Sequence, residues 1–401
     1  MTTKHMLVLA ALACGSLSTA LADNVYITGS SAFRTNVMTY LNSKITNKHA
    51  VNDSGKTIFN ANYVVISGIY NSAPITVYCA WTGSVGGIQT VVGGQTVPFA
   101  NKPSGMDTST AYALKADGSP DTTVGGGSVA TLTVDGNGVI TSASSPVIPS
   151  FGFSDVFQES ANVLGDAVDT QVAVLPFKWI TTNGGQAAGI TNMTPQIAQT
   201  LFKTGLLRLT LFTGNSSDNT SFVHALGRTN ESGTRLTAMA ETGVGTNSIL
   251  AQFTPTTTAT AITSWGTSSP SNGYVSGGTL AGVMGKTTTN TIGHGVTYLS
   301  VGDAATAITG GATELTHNGV SYNDTAANVI EGKYTFWCYE HLFARVGTDS
   351  TTGSDQTGQP RDLLLDFQTN LANSVTTSKS VIKLSDMHCS RATDGDTVFH
   401  N

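Results

Sequence analysis

A strand, a glycine-serine turn and a helix start recur along this chain, and the recurrence constrains its fold more than any other feature. Val25-Tyr26-Ile27-Thr28 runs into Gly29-Ser30-Ser31, after which Phe33, Val37, Tyr40 and Leu41 fall at helical spacings. Ile75 to Trp81 leads in the same way into Thr82-Gly83-Ser84-Val85-Gly86-Gly87 and a second helix start at Ile88-Gln89. This is how an α/β protein sets free backbone N–H groups at the carboxyl ends of its strands. Phe151-Gly152-Phe153-Ser154-Asp155 supplies a third strand end, and this one carries a carboxylate. Gly227 to Arg235 supplies a fourth polar turn ahead of Leu236-Thr237-Ala238-Met239-Ala240, with Ser232 placed as the N-cap. An arginine, hydroxyls and a glycine then meet the unpaired N–H groups of a helix's first turn, a combination that grips a small oxyanion.

Any such grip works through placed donors rather than bulk charge. The 401 residues carry a formal net charge of −6 with only 19 Lys and Arg, which argues against a nucleic-acid partner. Hydrophobic residues at 39% suffice for one or two cores, and the length points to more than one packing unit. Lys4 and His5 precede the apolar run Met6 to Cys14, and Ala20-Leu21-Ala22 places small residues at both recognition positions of a cleavage site. Residues 1–22 therefore read as a secretory signal peptide, cleaved after Ala22, with the mature chain in the periplasm or outside the cell. Leu12 lies one place too late for a good lipobox at Cys14. No other run reaches the roughly 18 apolar residues of a membrane span. Without the peptide, Cys79, Cys338 and Cys389 remain, an odd number that allows one disulfide at most, with the pairing open. No Cys-x-x-Cys and no histidine cluster has metal-ligand spacing, so neither a metal nor a cofactor is expected.

From about Val91 to Pro149 the texture turns to Gly, Thr, Ser and Asp. Val129 to Ile140 has the pattern of a hairpin, with Asp135-Gly136 and Asn137-Gly138 as turn dipeptides. Residues 91–150 read either as a surface β insertion or as an irregular loop. Val172 to Phe177 is an apolar run suited to crossing between lobes. Thr194 as N-cap and Pro195 at the first helical position open a helix through Lys203. Thr291 to Leu299 has the pattern of a strand returning to the first lobe, Tyr334 to Phe343 suits a sheet or a sheet-to-helix junction, and Leu363 to Leu371 falls in a C-terminal helix.

Taken in order, the polar turns resemble those of the PstS-like phosphate-binding proteins of ABC importers, a branch of the type II periplasmic binding proteins. Gly29-Ser30-Ser31-Ala32-Phe33 is similar to that family's first turn, which gives a hydroxyl and backbone N–H groups. Ser84 matches the ligand serine of its second turn, while Val85 replaces the serine that usually follows. Asp155 falls on its ligand aspartate, and its Arg-x-x-x-Ser-Gly-Thr motif stands here as Arg228, Ser232, Gly233 and Thr234. The resemblance spans about residues 24 to 345. It implies an α/β fold in two lobes, with mixed sheets flanked by helices, hinge crossings at 175–177 and 292–299, and a β-rich insertion in the first lobe. On that pattern 23–175 holds the first part of the first lobe, 176–292 the second lobe, and 293–401 the return and C-terminal segment. The 91–150 insertion separates Ser84 from Asp155 by more than the family's usual short spacing.

The resemblance implies a ligand set of Ser30, Ser31, Ser84, Asp155, Arg228, Ser232, Gly233 and Thr234. Arg228 is suited to a bidentate contact to two oxygens, or else is a surface cation. A carboxylate at Asp155 repels an anion unless that anion brings a proton, as monohydrogen phosphate does and sulfate does not. Asp155 is thus a selectivity element if it lines a cleft and a turn cap otherwise. The expected function is capture of inorganic phosphate or a related oxyanion for delivery to an ABC permease. An extracellular structural protein, self-assembling on the same fold, is the alternative. A phosphoester hydrolase is the third class, but no Gly-x-Ser-x-Gly surrounds the candidate serines, and His224, His294 and His341 stand alone, so no enzyme is expected.

Overall fold

The computed structural model describes residues 22–126, 132–135, 139–322 and 325–401. The expected signal peptide, save Ala22, and part of the expected 129–140 hairpin lie outside the described residues. β1 (Asp23–Gly29), α1 (Arg34–Lys44), β2 (Thr46–Asn52), β3 (Tyr63–Tyr70), β4 (Ala73–Ala80) and α2 (Ser84–Val92) come first. β5 (Val97–Ala100) and β6 (Ser144–Val147) are followed by β7 (Phe151–Ser154) and the long β8 (Ala167–Thr181). Next are β9 (Asn192–Met193), α3 (Pro195–Thr204), β10 (Leu206–Arg208), α4 (Thr210–Thr213), β11 (Phe222–Ala225) and α5 (Gly233–Glu241). β12 (Thr256–Thr257), β13 (Ile262–Ser264) and α6 (Gly277–Met284) precede β14 (His294–Ser300), α7 (Val301–Thr309), β15 (Thr313–His317) and α8 (Ala327–Ile330). β16 (Trp337–Arg345), α9 (Gly358–Asp366), α10 (Ala372–Ser374), β17 (Cys389–Ser390) and β18 (Phe399–His400) complete the described elements.

The architecture is α/β: a 12-stranded mixed sheet flanked by helices, with the central order β10-β11-β14-β8-β16-β7-β1-β4-β3-β2. β8 joins its two halves. Ala167 to Pro176 pair with β16 in the first half, whereas Phe177 to Thr181 pair with β14, and Trp179 to Thr181 also with β15, in the second. The apolar run 172–177 lies in β8 where its pairing passes from one half of the sheet to the other, and it is buried on both faces as strands in sheet interiors are. Thr291 to Leu299 does form a strand, β14, but it lies parallel to β11 and antiparallel to β8, inside the second half. With α7 and β15 it extends that half, and the chain re-enters the first half only at β16. A buried strand shows its apolarity in sequence but not which neighbour takes its ladder.

Local chemistry explains the best-formed helices. Thr194 Oγ1 accepts from Ile197 N–H at 3.3 Å, Pro195 takes the first helical position, and Gly205 closes α3 in the left-handed region. Ser232 Oγ caps α5 by accepting from Arg235 N–H at 3.3 Å. Tyr334 to Phe343 contributes most of β16, and Leu363 to Leu371 spans the end of α9 and one π turn beyond it. In the 91–150 region β5 and β6 pair antiparallel, and Val134 bridges Ile140. Its apolar side chains Phe99, Met106, Leu132 and Ile140 cover Tyr63, Val65 and Tyr78 of β3 and β4. The main core runs unbroken through both halves, with Trp179 stacked on Phe336 at 4.9 Å and edge-on to Tyr298 at 5.9 Å. Past α10, Ile382 bridges Val174 of β8, and the last residues reach across to α5. There Arg391 pairs with Glu241 at 2.9 Å and lies 4.1 Å over the Trp337 ring, while Asp394 accepts from Phe157 N–H at 2.9 Å.

Candidate functional site

Strand ends from the two halves meet in one place. Ser84 stands at the start of α2 and Asp155 just past the end of β7; the Ser84 hydroxyl donates to Asp155 Oδ1. From the second half, the first turn of α5 packs directly on them. A Cβ added to Gly233 would lie 1.6 Å from Asp155 Oδ1 and 2.7 Å from Ser84 Cβ, so only glycine permits this approach. Thr237 Oγ1 donates to the Asp155 carbonyl at 3.3 Å, and Val85 N–H donates to the Glu231 carbonyl at 3.2 Å. Thus an N–H at the start of α2, a position suited to an anion, bonds instead to the loop of the opposing half.

The other sequence-predicted residues divide. Ser30 follows Gly29, which holds φ at 118°, and its N–H donates to the Phe153 carbonyl at 2.8 Å. Its hydroxyl is buried beside Glu340, and neither that hydroxyl nor the Glu340 oxygens complete a hydrogen bond of good geometry. Arg228 is buried, with Nε donating to the Tyr274 carbonyl at 3.1 Å and an Nη to the Val275 carbonyl at 2.8 Å. Ser232 serves as helix cap, and Thr234 is buried in the first turn of α5. Ser31 turns away from this cluster and lines a separate cavity of about 670 Å³ between α1 and α7, which Ser84, Asp155 and Arg228 do not reach.

Electrostatically the cluster is under load. Burial pushes the Asp155 carboxyl up to about 6, against the opposing pull of the Ser84 hydrogen bond and the Arg228 charge. Glu340 is driven well above the ordinary glutamate range by burial and by Asp155, and burial also raises Asp394. Arg228 is lowered by burial, with Asp303 the leading charge that holds it up. Glu340 and Asp303 were not singled out from sequence. The available signal for Glu340 was one carboxylate amid the aromatic residues of β16; nothing local marked Asp303.

The three histidines weighed from the sequence are buried and held by packing and hydrogen bonds. His224 stacks on Trp265 at 4.2 Å, His294 is held by Thr288 and Asn290, and His341 bonds Asp169 at 2.8 Å. Cys79, Cys338 and Cys389 are buried free thiols. Among the described residues no group of three or more His, Cys, Asp or Glu is arranged to hold a metal ion, and no helix is long and apolar enough to cross a membrane.

No protein-family model and no curated protein matches the chain. Among solved structures it is similar to an ABC-type phosphate transport receptor from Vibrio cholerae, with a TM-score of 0.44 and 11% identity over 88% of this chain and 97% of that one. It is also similar to PstS from Borrelia burgdorferi, with a TM-score of 0.38 and 13% identity over 90% and 98% of the two chains. A possible phosphate binding protein from Planctomyces limnophilus gives a TM-score of 0.38 and 10% identity over 89% and 100%. Likeness at this level carries neither a ligand nor a partner across to this chain.

Proposed function

We propose that this chain is an exported two-lobed binding protein that closes on a small protonated oxyanion, monohydrogen phosphate above all, and presents it to a membrane permease. One observation carries the reading: the Ser84–Asp155 pair of one half meets the Arg228–Thr234 turn of the other, although these segments are far apart in sequence. The closed arrangement has no room between Asp155 and Gly233, so ligand enters only when α5 swings away from Asp155. Opening frees the Val85 N–H and the first turn of α5 for the ion. A micromolar complex needs about 8 kcal/mol. Several charge-assisted bonds of roughly 1.5 to 3 kcal/mol each meet that after ordering costs.

The test is calorimetric titration of the mature protein with phosphate and with sulfate at pH 7.5. Saturable phosphate heat is expected, with sulfate weaker by at least about tenfold, or about 1.4 kcal/mol. Asp155→Asn, able to donate to an unprotonated oxygen, narrows that gap. Absence of phosphate heat sinks the reading.

A second reading, an extracellular structural protein that keeps the fold without the ligand, is favoured by the internal use of the Val85 N–H and the Ser84 hydroxyl. It predicts no phosphate heat together with concentration-dependent assembly in sedimentation.

A further inference from the structure

Another cavity, of about 320 Å³, straddles the seam between the halves beside the Val85–Glu231 contact. The first half supplies Val85 and Gln89 of α2, and the second supplies Arg235 and Leu236 of α5 with the segment 246–250. Val85, Leu236 and Leu250 are buried and give it an apolar wall, while Gln89 is half-buried at its rim. None of the ligand residues expected from the sequence lines it.

Arg235 is what points to an occupant. It is only 4% exposed, and among the described residues no carboxylate forms an ion pair with it. Its Nη2 donates to the Ser248 carbonyl at 3.0 Å, and its Nε is enclosed without a partner. Nη1 is neither enclosed nor bonded, so the Nη end of the guanidinium is the part that Arg235 presents to the cavity it lines. Arg235 also stands in the first turn of α5, which carries no acidic residue, and the positive end of that helix adds to the uncompensated charge. Glu231 lines the same cavity but is exposed and does not pair with it. A buried cation with neither a counter-ion nor a favourable dipole is costly, and an anion in the cavity removes that cost.

We propose that this seam cavity binds a short-chain organic acid, its carboxylate on the Nη end of Arg235 and its hydrocarbon portion against Val85, Leu236 and Leu250. Nη1 keeps both hydrogens free and Nη2 keeps one, which together form a fork matched to a planar carboxylate. A sulfate or phosphate dianion brings a second charge towards Glu231 and leaves the apolar wall unfilled. Because the walls come from both halves, an occupant is gripped only while α5 sits against Asp155, and its binding favours the closed arrangement. The site uses no side chain of the oxyanion cluster and does not rest on that reading.

The test is calorimetric titration of the mature protein with acetate, butyrate and hexanoate, with butyramide and sulfate as controls, on the parent and two variants. Butyrate or hexanoate is expected to give saturable heat and to bind more tightly than acetate, with no heat from butyramide. Arg235→Lys keeps the charge but loses the fork and should weaken that binding about tenfold or more. Gln89→Trp guards against a folding defect: Gln89 is half-buried at the rim, so the variant should melt like the parent while its indole fills the cavity and abolishes the heat. No saturable heat with any of the three acids, undiminished binding in Gln89→Trp, or butyramide or sulfate binding as tightly as butyrate would each overturn the proposal. Phosphate heat without carboxylate heat would strike this site and leave the oxyanion cluster standing.

Discussion

Asp155 is a carboxyl enclosed by Ser84, Gly233 and Thr237, and its raised pKa makes it a liability for stability near neutral pH. An acid that holds its proton more tightly folded than unfolded stabilises the fold at low pH. That contribution falls as pH rises from the ordinary aspartate value of 3.8 to about 6 and stays lost above it, up to about 3 kcal/mol in all. His224, depressed to about 4 by burial, works in the opposite sense: its contribution disappears as pH falls from 6.5 through about 4. Comparing Asp155→Asn with the parent at each pH cancels the histidine contribution. Urea unfolding is expected to show the variant gaining stability over the parent at pH 7.5 relative to pH 4; a pH-independent difference would contradict the buried-carboxyl account. Gly233→Ala drives a methyl into Asp155 and should lower stability by about 1 to 3 kcal/mol. Adding Asp155→Ala should restore part of that loss, a coupling that a double-mutant cycle reads directly. At this scale the sequence announced Asp155, Arg228 and Ser232 through turn chemistry. Glu340 stayed hidden because Asp155 and Ser30, the groups it faces, lie more than a hundred residues away, and Asp303 because Arg228, the charge it supports, is also remote in sequence.

Elements with their own punctuation were legible. α3 carries Thr194, Pro195 and Gly205 at its ends, and α5 carries Ser232, so both helices are marked before any tertiary contact forms. Thr194→Ala should lower stability by about 1 kcal/mol in chemical unfolding and leave phosphate titration unchanged. Ser232→Ala loses an equivalent cap and, on the oxyanion reading, should also weaken phosphate binding. Unchanged affinity would reduce Ser232 to a cap alone. Strand partners were less legible, as β14 shows: its apolar run pairs beside β8 and β11 in the second half rather than returning to the first. The 91–150 stretch spans β5, β6 and short turns whose small core leans on β3 and β4, a support its local sequence does not encode.

At the level of the whole molecule, the α/β class followed from strand and turn order, whereas the closed contact between the halves did not. Side chains suited to a ligand are equally suited to one another, and sequence does not distinguish those two uses. Burial also settles the thiols, since Cys79, Cys338 and Cys389 are unpaired and enclosed. They should resist a thiol reagent in native buffer, react together on unfolding, and leave the melting temperature indifferent to reductant. The C-terminal tail clasps α5 through Arg391 and Glu241 and the first half through Asp394 and Phe157. A tensile load applied at Asn401 would peel this clasp before it strains the long seam of β8 and β16. An optical-tweezer trace should then show an early low-force step preceding rupture of the sheet, making the tail a mechanical fuse for the molecule.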